Sequence, residues 1–219
     1  IIARIGGDEF VVLAMDNALL DLKHNLLAVP LLKLLGAARN AVDIYGSGGF
    51  TSYANAQLKH QLSGWVEQGI GMVKMKIGRA PASDPERVRV ARAAIGKRAQ
   101  LFVDANGAYA RKQALHLAEN FAECNVCWFE EPVSSDDLTG LRLLRNRAPA
   151  CMDIAAGEYG YHGGYFKRML AAGAVDVLQV DATRCGGITG YLHAAALCEA
   201  FAIPMSAHCA PALHMHVAC

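Results

Sequence analysis

Short apolar segments recur along the chain, and each ends at a charged or titratable residue close to a glycine or proline. The clearest is the segment 102–109, which runs through Asp104 into an Asn-Gly pair. The residues that mark the segment ends stand 23 to 28 positions apart and are Lys76, Asp104, Glu130, Glu158, Asp181 and His208. This interval is the length of one strand-helix unit, so the pattern predicts apolar strands in a parallel sheet that helices cover on both faces.

Apolar positions between these segments recur at helical spacing and predict a helix after almost every strand. The predicted strands are residues 43–45, 73–76, 101–103, 126–129, 152–155, 175–180 and 203–206. The predicted helices are residues 12–28, 30–35, 55–68, 84–95, 111–123, 137–147, 165–172 and 191–201. Gly46 to Gly49 are assigned to a turn after the first strand, and Asp84 is assigned as a helix N-cap because Pro85 follows it.

Alternating elements of this kind favour an α/β fold, a (β/α) TIM-like barrel over residues 43–219. Seven strands are predicted, and no candidate for an eighth strand precedes Cys219. Side chains at the carboxyl ends of barrel strands converge on one rim, where catalysis takes place in nearly all such enzymes. The six marker residues are therefore predicted to share one site.

Composition narrows the range of partners. The 219 residues are 53% hydrophobic with mean hydropathy +0.20, which suits one globular domain with a small appendage. The formal net charge is +1 and no block of like charge occurs, so neither nucleic acid nor a membrane surface is predicted as a partner. No segment has the length of a membrane span or the pattern of a signal peptide, which predicts a cytoplasmic protein.

The seven cysteines are scattered and odd in number, which predicts reduced core thiols rather than a disulfide framework. Cys124 and Cys127 have the spacing of a redox or zinc pair. A second cysteine pair is missing from the sequence, so the pattern favours core thiols.

Asp104, Glu130 and Glu158 end three consecutive predicted strands, so their carboxylates are expected to be neighbours. Three converging anions repel one another, and an all-oxygen ligand set suits a hard divalent cation, Mg2+ above all. The alternative is that each acid only caps the following helix. Three acids at this spacing favour the metal site.

Two lysines and a histidine are the candidates for proton transfer. Lys74 and Lys76 are two apart on a strand and point to the same side, where each ammonium disfavours the charged form of the other. The proton affinity of at least one lysine is expected to fall, which makes a general base plausible. Solvated edge lysines are the alternative. Asp181 and His208 end neighbouring strands, so the carboxylate can orient the imidazole and raise its basicity. His214 and His216 are weaker candidates because they lie beyond the strand end.

Taken together, these motifs resemble the mandelate racemase subgroup of the enolase superfamily, in its sugar-acid dehydratase-like form. The resemblance extends from about residue 12 to residue 219 and rests on Lys74-x-Lys76, Asp104, Glu130 in Glu-Glu-Pro, Glu158 in Gly-Glu, Asp181 and His208. It implies Mg2+-assisted abstraction of the proton alpha to a carboxylate through an enediolate. A lysine in place of Asp181 would have indicated the muconate-lactonising subgroup.

The resemblance also implies a role for each residue. Asp104, Glu130 and Glu158 would bind Mg2+, and Lys76 would be one base. His208, oriented by Asp181, would be the other base. Lys74 and Asn106 would bind the substrate, a small-molecule carboxylate such as a sugar acid or a 2-hydroxy acid.

The sequence is compatible with three hypotheses. The protein dehydrates a sugar acid, it racemises or epimerises a 2-hydroxy acid, or it is a truncated homologue without catalytic activity. Residues 1–42 resemble only the last helices of the α+β capping domain that precedes the barrel in this superfamily. The chain is therefore expected to be part of a longer protein. Apolar content and the resemblance together predict a homo-oligomer.

Overall fold

The computed structural model describes residues 9–219, with side chains from Met15 onward, and its elements fall into two units. In chain order the described elements are α1 Glu9–Leu26, α2 Leu31–Leu34, β1 Gly46–Gly48, α3 Asn55–Glu67, β2 Met72–Lys76, α4 Asp84–Ile95, β3 Gln100–Asp104, α5 Arg111–Ala122, β4 Val126–Glu130, α6 Leu138–Arg147, β5 Asp153–Ala156, α7 Gly163–Ala171, β6 Val177–Val180, α8 Gly187–Phe201, β7 Met205–Ala207 and α9 Pro211–Val217. We call residues 44–156 with 172–176 the β1–β5 unit, and the other described residues the β6–β7 unit.

In the β1–β5 unit, parallel pairing joins the five strands in chain order. Strand interiors such as Val73, Leu101 and Phe129 are fully buried, as expected for strands that are covered on both faces. The register sets Lys76 beside Asp104 and Asp104 beside Glu130. Three of the predicted site residues therefore lie level at the carboxyl ends of neighbouring strands.

In the β6–β7 unit, β6 pairs in parallel with β7, and α8 contacts both α1 and α7. The side chains of Asp16 and Asn17 on α1 accept hydrogen bonds from the backbone N–H groups of Thr189 and Ile188, at the start of α8. These bonds satisfy helix N–H groups that have no partner within the helix itself. They explain why α8 begins at Gly187, four residues before the predicted start.

The alternation of parallel strands with helices agrees with the predicted fold. No helix in the described residues is long and apolar enough to cross a membrane. Residues 1–8 of the predicted cap remnant lie outside the described residues, and the domain boundary after residue 42 stays a prediction.

The helix α9 was not predicted, although Pro211 at its first turn is a recognisable start signal.

The prediction of the first strand was wrong. Residues 43–45 form no strand, and Ile44 is 61% exposed, whereas the supposed turn residues Gly46–Gly48 form β1. The cause is close packing against α3: a Cβ atom on Gly46 would lie 2.5 Å from the Trp65 ring. Only a residue without a side chain fits there, so an apolar strand pattern cannot appear in the sequence.

We expect Gly46→Ala to destabilise the fold by about 1–3 kcal/mol, the usual cost of forcing extra volume into a packed site. Gly64→Ala is the matched control, because Gly64 lies inside α3 and a Cβ there meets nothing within 4 Å. Alanine is the better helix former, so this control should gain about 0.5–1 kcal/mol. Urea unfolding of both variants measures the difference, and equal stabilities would contradict the packing argument.

Candidate active site

Lys74, Lys76, Asp104 and Glu130 form one polar cluster at the strand ends of the β1–β5 unit. The Lys74 ammonium donates to both carboxylate oxygens of Glu130 at 2.6 Å and lies 3.6 Å from Asp104 Oδ2. Lys76 donates to Asp104 Oδ2. Both lysines thus point to the same side of β2, as predicted, and bind the predicted metal ligands. The alternative of solvated edge lysines is wrong, because Lys74 is only 2% exposed.

The residues around Lys74 raise its pKa, although a lowered pKa suits a general base. Burial by itself lowers the pKa of Lys74, but Glu130, Tyr45 and Asp104 together outweigh burial and raise the pKa above its usual value. Lys74 is therefore not a lysine of lowered proton affinity. Its carboxylate partners were known from the sequence, but their contact with this lysine was not.

The two carboxylates of the cluster have the chemistry of a cation site. Burial raises the pKa of Glu130, and the neighbouring Asp104 carboxylate raises it further, although Lys74 acts in the opposite direction. Neither Asp104 nor Glu130 is exposed to solvent. A bound cation would relieve both the burial cost and the mutual repulsion, and oxygen ligands suit a hard ion such as Mg2+. The residues present therefore fit a divalent metal.

Asn106 lies on the loop that follows β3 and borders the same cluster. Its backbone has φ +46°, a left-handed conformation that asparagine tolerates better than most residues. Its N–H donates to Asp104 Oδ1 at 2.9 Å, and its side-chain oxygen accepts from the Lys76 ammonium at 2.9 Å. Asn106 thus holds both a candidate base and a candidate metal ligand in place.

Asp84 is a structural residue of this region that sequence reasoning misassigned. It is buried inside the first turn of α4 and does not cap that helix; Ser83 occupies the N-cap position. Its carboxylate accepts hydrogen bonds from the backbone N–H of Gly78 at 2.9 Å and from the Tyr109 hydroxyl at 2.6 Å. Asp84 therefore ties the loop after β2 to the loop after β3.

The β6–β7 unit contains the second polar cluster, formed by Glu158, Asp181 and His208. His208 Nδ1 lies 2.9 Å from Asp181 Oδ2 and His208 Nε2 lies 3.0 Å from Glu158 Oε2. This is the predicted Asp181–His208 pair. Burial alone lowers the pKa of His208, but its two carboxylate partners outweigh burial and raise the pKa to about 9.

Asp181 is fixed by several donors. Burial by itself would raise its pKa, but hydrogen bonds from His208 and from the Thr183 hydroxyl and N–H outweigh burial and lower it. The Thr183 hydroxyl lies 2.6 Å from Asp181 Oδ1. The carboxylate therefore stays ionised and directs one ring nitrogen of His208.

Arg184 was not predicted as a site residue, although it lies in the Thr-Arg-Cys-Gly-Gly segment after Asp181. Its guanidinium donates to the backbone oxygen of Glu158 at 2.9 Å and lies 3.6 Å from the carboxylates of both Glu158 and Asp181. An arginine three residues after a strand-end acid was the available signal.

His214, a weaker candidate, has a structural role. Its Nε2 accepts from the N–H of Ala182 at 2.9 Å, and its Nδ1 lies 2.7 Å from the backbone oxygen of Cys209. It thereby ties the loop after β6 to the loop after β7, on which His208 depends.

The surroundings of Cys124 and Cys127 do not favour a redox or zinc pair. All seven cysteines are free thiols. Burial raises the pKa of both Cys124 and Cys127, whereas a redox or metal-binding thiol requires a lowered pKa. The prediction of core thiols is right for the buried Cys124, Cys185 and Cys198 and wrong for Cys151 and Cys209, which are exposed.

The candidate metal ligands Asp104 and Glu130 and the candidate base Lys76 lie at strand ends of the β1–β5 unit, and Glu158 and the candidate base His208 lie in the β6–β7 unit. Strand-end side chains of this chemistry define a (β/α)-barrel protein equipped for acid-base reactions. The chain belongs to the family described as enolase C-terminal domain-like, which matches residues 57–219. This confirms the predicted superfamily and the predicted fold class.

Three relatives illustrate the similarity. The chain is 32% identical over 220 residues to the L-talarate/galactarate dehydratase of Salmonella typhimurium, covering 99% of this chain and 54% of that protein. A mandelate racemase/muconate lactonizing enzyme-like protein from Rubrobacter xylanophilus has 52% identity and a TM-score of 0.94, covering 99% of this chain and 60% of that one. The L-talarate dehydratase of Polaromonas sp. JS666, complexed with Mg and L-glucarate, has 35% identity and a TM-score of 0.90, with the same coverage.

Other relatives are named as dehydratases or cycloisomerases, among them arabinonate dehydratase and D-galactarolactone cycloisomerase. The chain spans little more than half the length of the relatives described above.

Proposed function

We propose that this chain forms the catalytic barrel of an enzyme that removes the proton alpha to the carboxylate of a sugar acid and then eliminates water. The observation that carries the proposal is the level row of Lys76, Asp104 and Glu130 at the ends of three neighbouring strands. It combines a base with buried carboxylates, which is the equipment that such a reaction needs. The names of several relatives, which are sugar-acid dehydratases, support the substrate class.

We assign Mg2+ to the carboxylates of Asp104, Glu130 and Glu158. Each acid is buried: Asp104 and Glu130 are the last residues of β3 and β4, and Glu158 lies two residues after β5. Two solved relatives are described with bound Mg or magnesium. When bound, the ion would stabilise the negative charge that develops on the substrate carboxylate as the alpha proton leaves. Lys74 and Asn106 would bind the substrate carboxylate. Asn106 also holds Lys76 and Asp104 in place through its hydrogen bonds.

Lys76 and His208 are the proposed bases. Lys76 is 22% exposed in its side chain and Lys74 is 2% exposed, so Lys76 is the more accessible lysine for proton transfer. His208 receives its orientation from Asp181, which also supports the positive charge that the imidazole acquires when it accepts a proton. One residue would take the alpha proton. The electron pair of that C–H bond then forms the new double bond, while the beta hydroxyl leaves as water with a proton that the other residue donates. The resulting enol tautomerises to the 2-keto acid.

A racemase or epimerase of a 2-hydroxy acid is the second candidate. The observation that favours it is the presence of two candidate bases rather than one, because inversion at a carbon needs a proton acceptor on one face and a donor on the other. A non-catalytic homologue is the remaining alternative.

A screen of sugar acids and 2-hydroxy acids, with Mg2+ in deuterated water, tests these candidates together. Dehydration is followed by formation of the 2-keto product, and proton abstraction is followed by deuterium at the alpha carbon. We expect a 2-keto product from at least one sugar acid. Deuterium incorporation with inversion and without loss of water would identify a racemase. The absence of both signals across the library would contradict the catalytic proposal.

We also expect the protein to be a homo-oligomer. The chain is 53% hydrophobic, and several of its large apolar side chains, including Leu19, Leu22 and Leu26 on α1, are more than half exposed. Association with a second copy would bury such surface. Light scattering at micromolar concentration measures the mass, and a monomeric mass would contradict the prediction.

A further inference from the structure

A cavity of about 510 Å³ opens beside the end of β2 in the β1–β5 unit. Its described lining includes Lys76 and Asn106 from the candidate active site, together with apolar contributions from Phe50 and Ile77. It also includes Arg79, which has no role in the function proposed above. The charged residues of this lining are Lys76 and Arg79, both cations, and no carboxylate accompanies them. The cavity therefore favours an anionic ligand.

The two cations differ in how their charge is compensated. Lys76 forms an ion pair with Asp104. Within residues 15–219, whose side chains the structure describes, Arg79 forms no ion pair and no side-chain hydrogen bond. A guanidinium group offers five donors in a planar fork that matches a carboxylate with two parallel hydrogen bonds. Arg79 is therefore the cation at this cavity that remains available to a ligand.

The loop that carries Arg79 is held on both sides. The N–H of Ile77 donates to the backbone oxygen of Asp104, and the N–H of Gly78 donates to the Asp84 carboxylate, each at 2.9 Å. Gly78 has φ +100°, and a Cβ atom there would lie 2.6 Å from Ala108 Cβ. The loop after β2 is thus pressed against the loop after β3. A side chain on a fixed backbone can select a ligand without first ordering a mobile segment.

We propose that Arg79 binds a second carboxylate at the far end of the substrate, so that the preferred substrates are dicarboxylic sugar acids, the aldarates. This inference rests on the proposed function, which places the first carboxylate at Lys74 and the metal. Arg79 follows Lys76 by three residues, which limits their Cα separation to about 11 Å. A sugar acid of several carbons can bridge this distance with help from the two long side chains.

Calorimetric titration in MgCl2 tests the inference independently of turnover. The probes are galactarate and galactonate, which share carbon number and configuration and differ in the second carboxylate. Wild-type protein is expected to prefer galactarate. Arg79→Gln should reduce that preference about 10- to 100-fold, the range for losing a hydrogen bond to a charged group, and Arg79→Lys should restore part of it. Arg98→Gln is the matched control, because Arg98 is exposed on the turn that precedes β3.

The outcomes separate this inference from the proposed function. A preference for galactarate that Arg79→Gln leaves intact overturns the role of Arg79, whatever the activity of the protein. A wild-type preference for galactonate overturns the dicarboxylate assignment, and so does tighter binding of 6-phosphogluconate than of glucarate, which would identify a phosphate site. Loss of preference in Arg79→Gln with no turnover of any acid supports the inference while contradicting the dehydratase proposal.

Discussion

Replacing His208 with Asn is expected to lower exchange of the alpha proton by about 10² to 10⁴ for substrates presented to that residue, the range for loss of a general base. Asparagine keeps a hydrogen-bonding side chain of similar size but cannot take up the proton. The proposed metal ligands lie on or just after β3, β4 and β5, whereas Lys76 stands on β2 and His208 follows β7. Under the proposed function, Lys76 and His208 serve opposite faces of the alpha carbon, because each configuration needs a proton acceptor on its own face.

Two further variants sharpen this prediction. Lys76→Met should abolish exchange for substrates of the opposite configuration while the His208-dependent exchange stays measurable. Asp181→Asn should resemble His208→Asn, because it removes the charge that orients the imidazole at 2.9 Å. Deuterium incorporation into both configurations of one acid, followed by nuclear magnetic resonance, measures each reaction. If every variant lost the same amount of alpha-proton exchange for both configurations, the assignment of one configuration to each base would be wrong.

His193→Asn is the control for nonspecific effects of the substitution. His193 is exposed on α8, within the same unit as His208, and takes no part in the candidate site. This variant should exchange both configurations at the wild-type rate. A loss of exchange here would show that histidine replacements in this unit act through the fold.

The sequence was sufficient to predict the fold class because the marker residues recur at the length of one strand-helix unit and most strands other than β1 have apolar interiors. A parallel strand that is buried on both faces consists mostly of apolar residues, and the site residues of such folds lie at the carboxyl ends of the strands. Glu130 and His208 could therefore be placed at the rim from the sequence alone, and the contact between His208 and Asp181 followed from their positions after neighbouring strands.

Long-range contacts explain the predictions that failed. Gly46 reads as a turn residue because nothing in the local sequence indicates that Trp65 will cover it. Asp84 reads as a helix cap, yet its carboxylate bonds to Tyr109, which is 25 residues away. The direction of the Lys74 pKa shift depends on Glu130, 56 residues further along the chain. A local sequence pattern shows which neighbours a residue has along the chain, but it does not show which distant residue will contact it in the fold.

Replacing Glu130 with Gln is expected to lower the affinity for Mg2+ by at least about 100-fold. Replacing a residue that only orients a metal ligand already lowers the affinity, and the loss of a ligand itself should be no smaller. Glutamine keeps the shape of the side chain but loses the charge that the ion requires. Asp104→Asn and Glu158→Gln should weaken binding as well. Calorimetric titration with MgCl2 measures the affinity. Asp153→Asn is the control, because Asp153 is the first residue of β5 and is remote from the strand end that precedes Glu158.

The same substitution also affects folding, since Glu130 is the partner of a buried lysine. Removing one member of a buried ion pair costs about 3–5 kcal/mol, so Glu130→Gln should lower the free energy of unfolding in metal-free buffer. The double variant Lys74→Met with Glu130→Gln leaves no unpaired ammonium and should recover most of that loss. It should still bind Mg2+ weakly, which separates loss of the ligand from loss of the fold.

Unfolding in urea with and without Mg2+ connects the two measurements. A ligand that binds only the folded protein stabilises it by about 2.7 kcal/mol at a hundredfold excess over the Kd, and the wild-type protein should show this gain. The double variant should be folded and yet gain little from the same Mg2+ concentration. A full gain in the double variant would place the ion elsewhere. A crystal structure with Mg2+ in which Asp104, Glu130 and Glu158 do not share one ion would lead to the same conclusion.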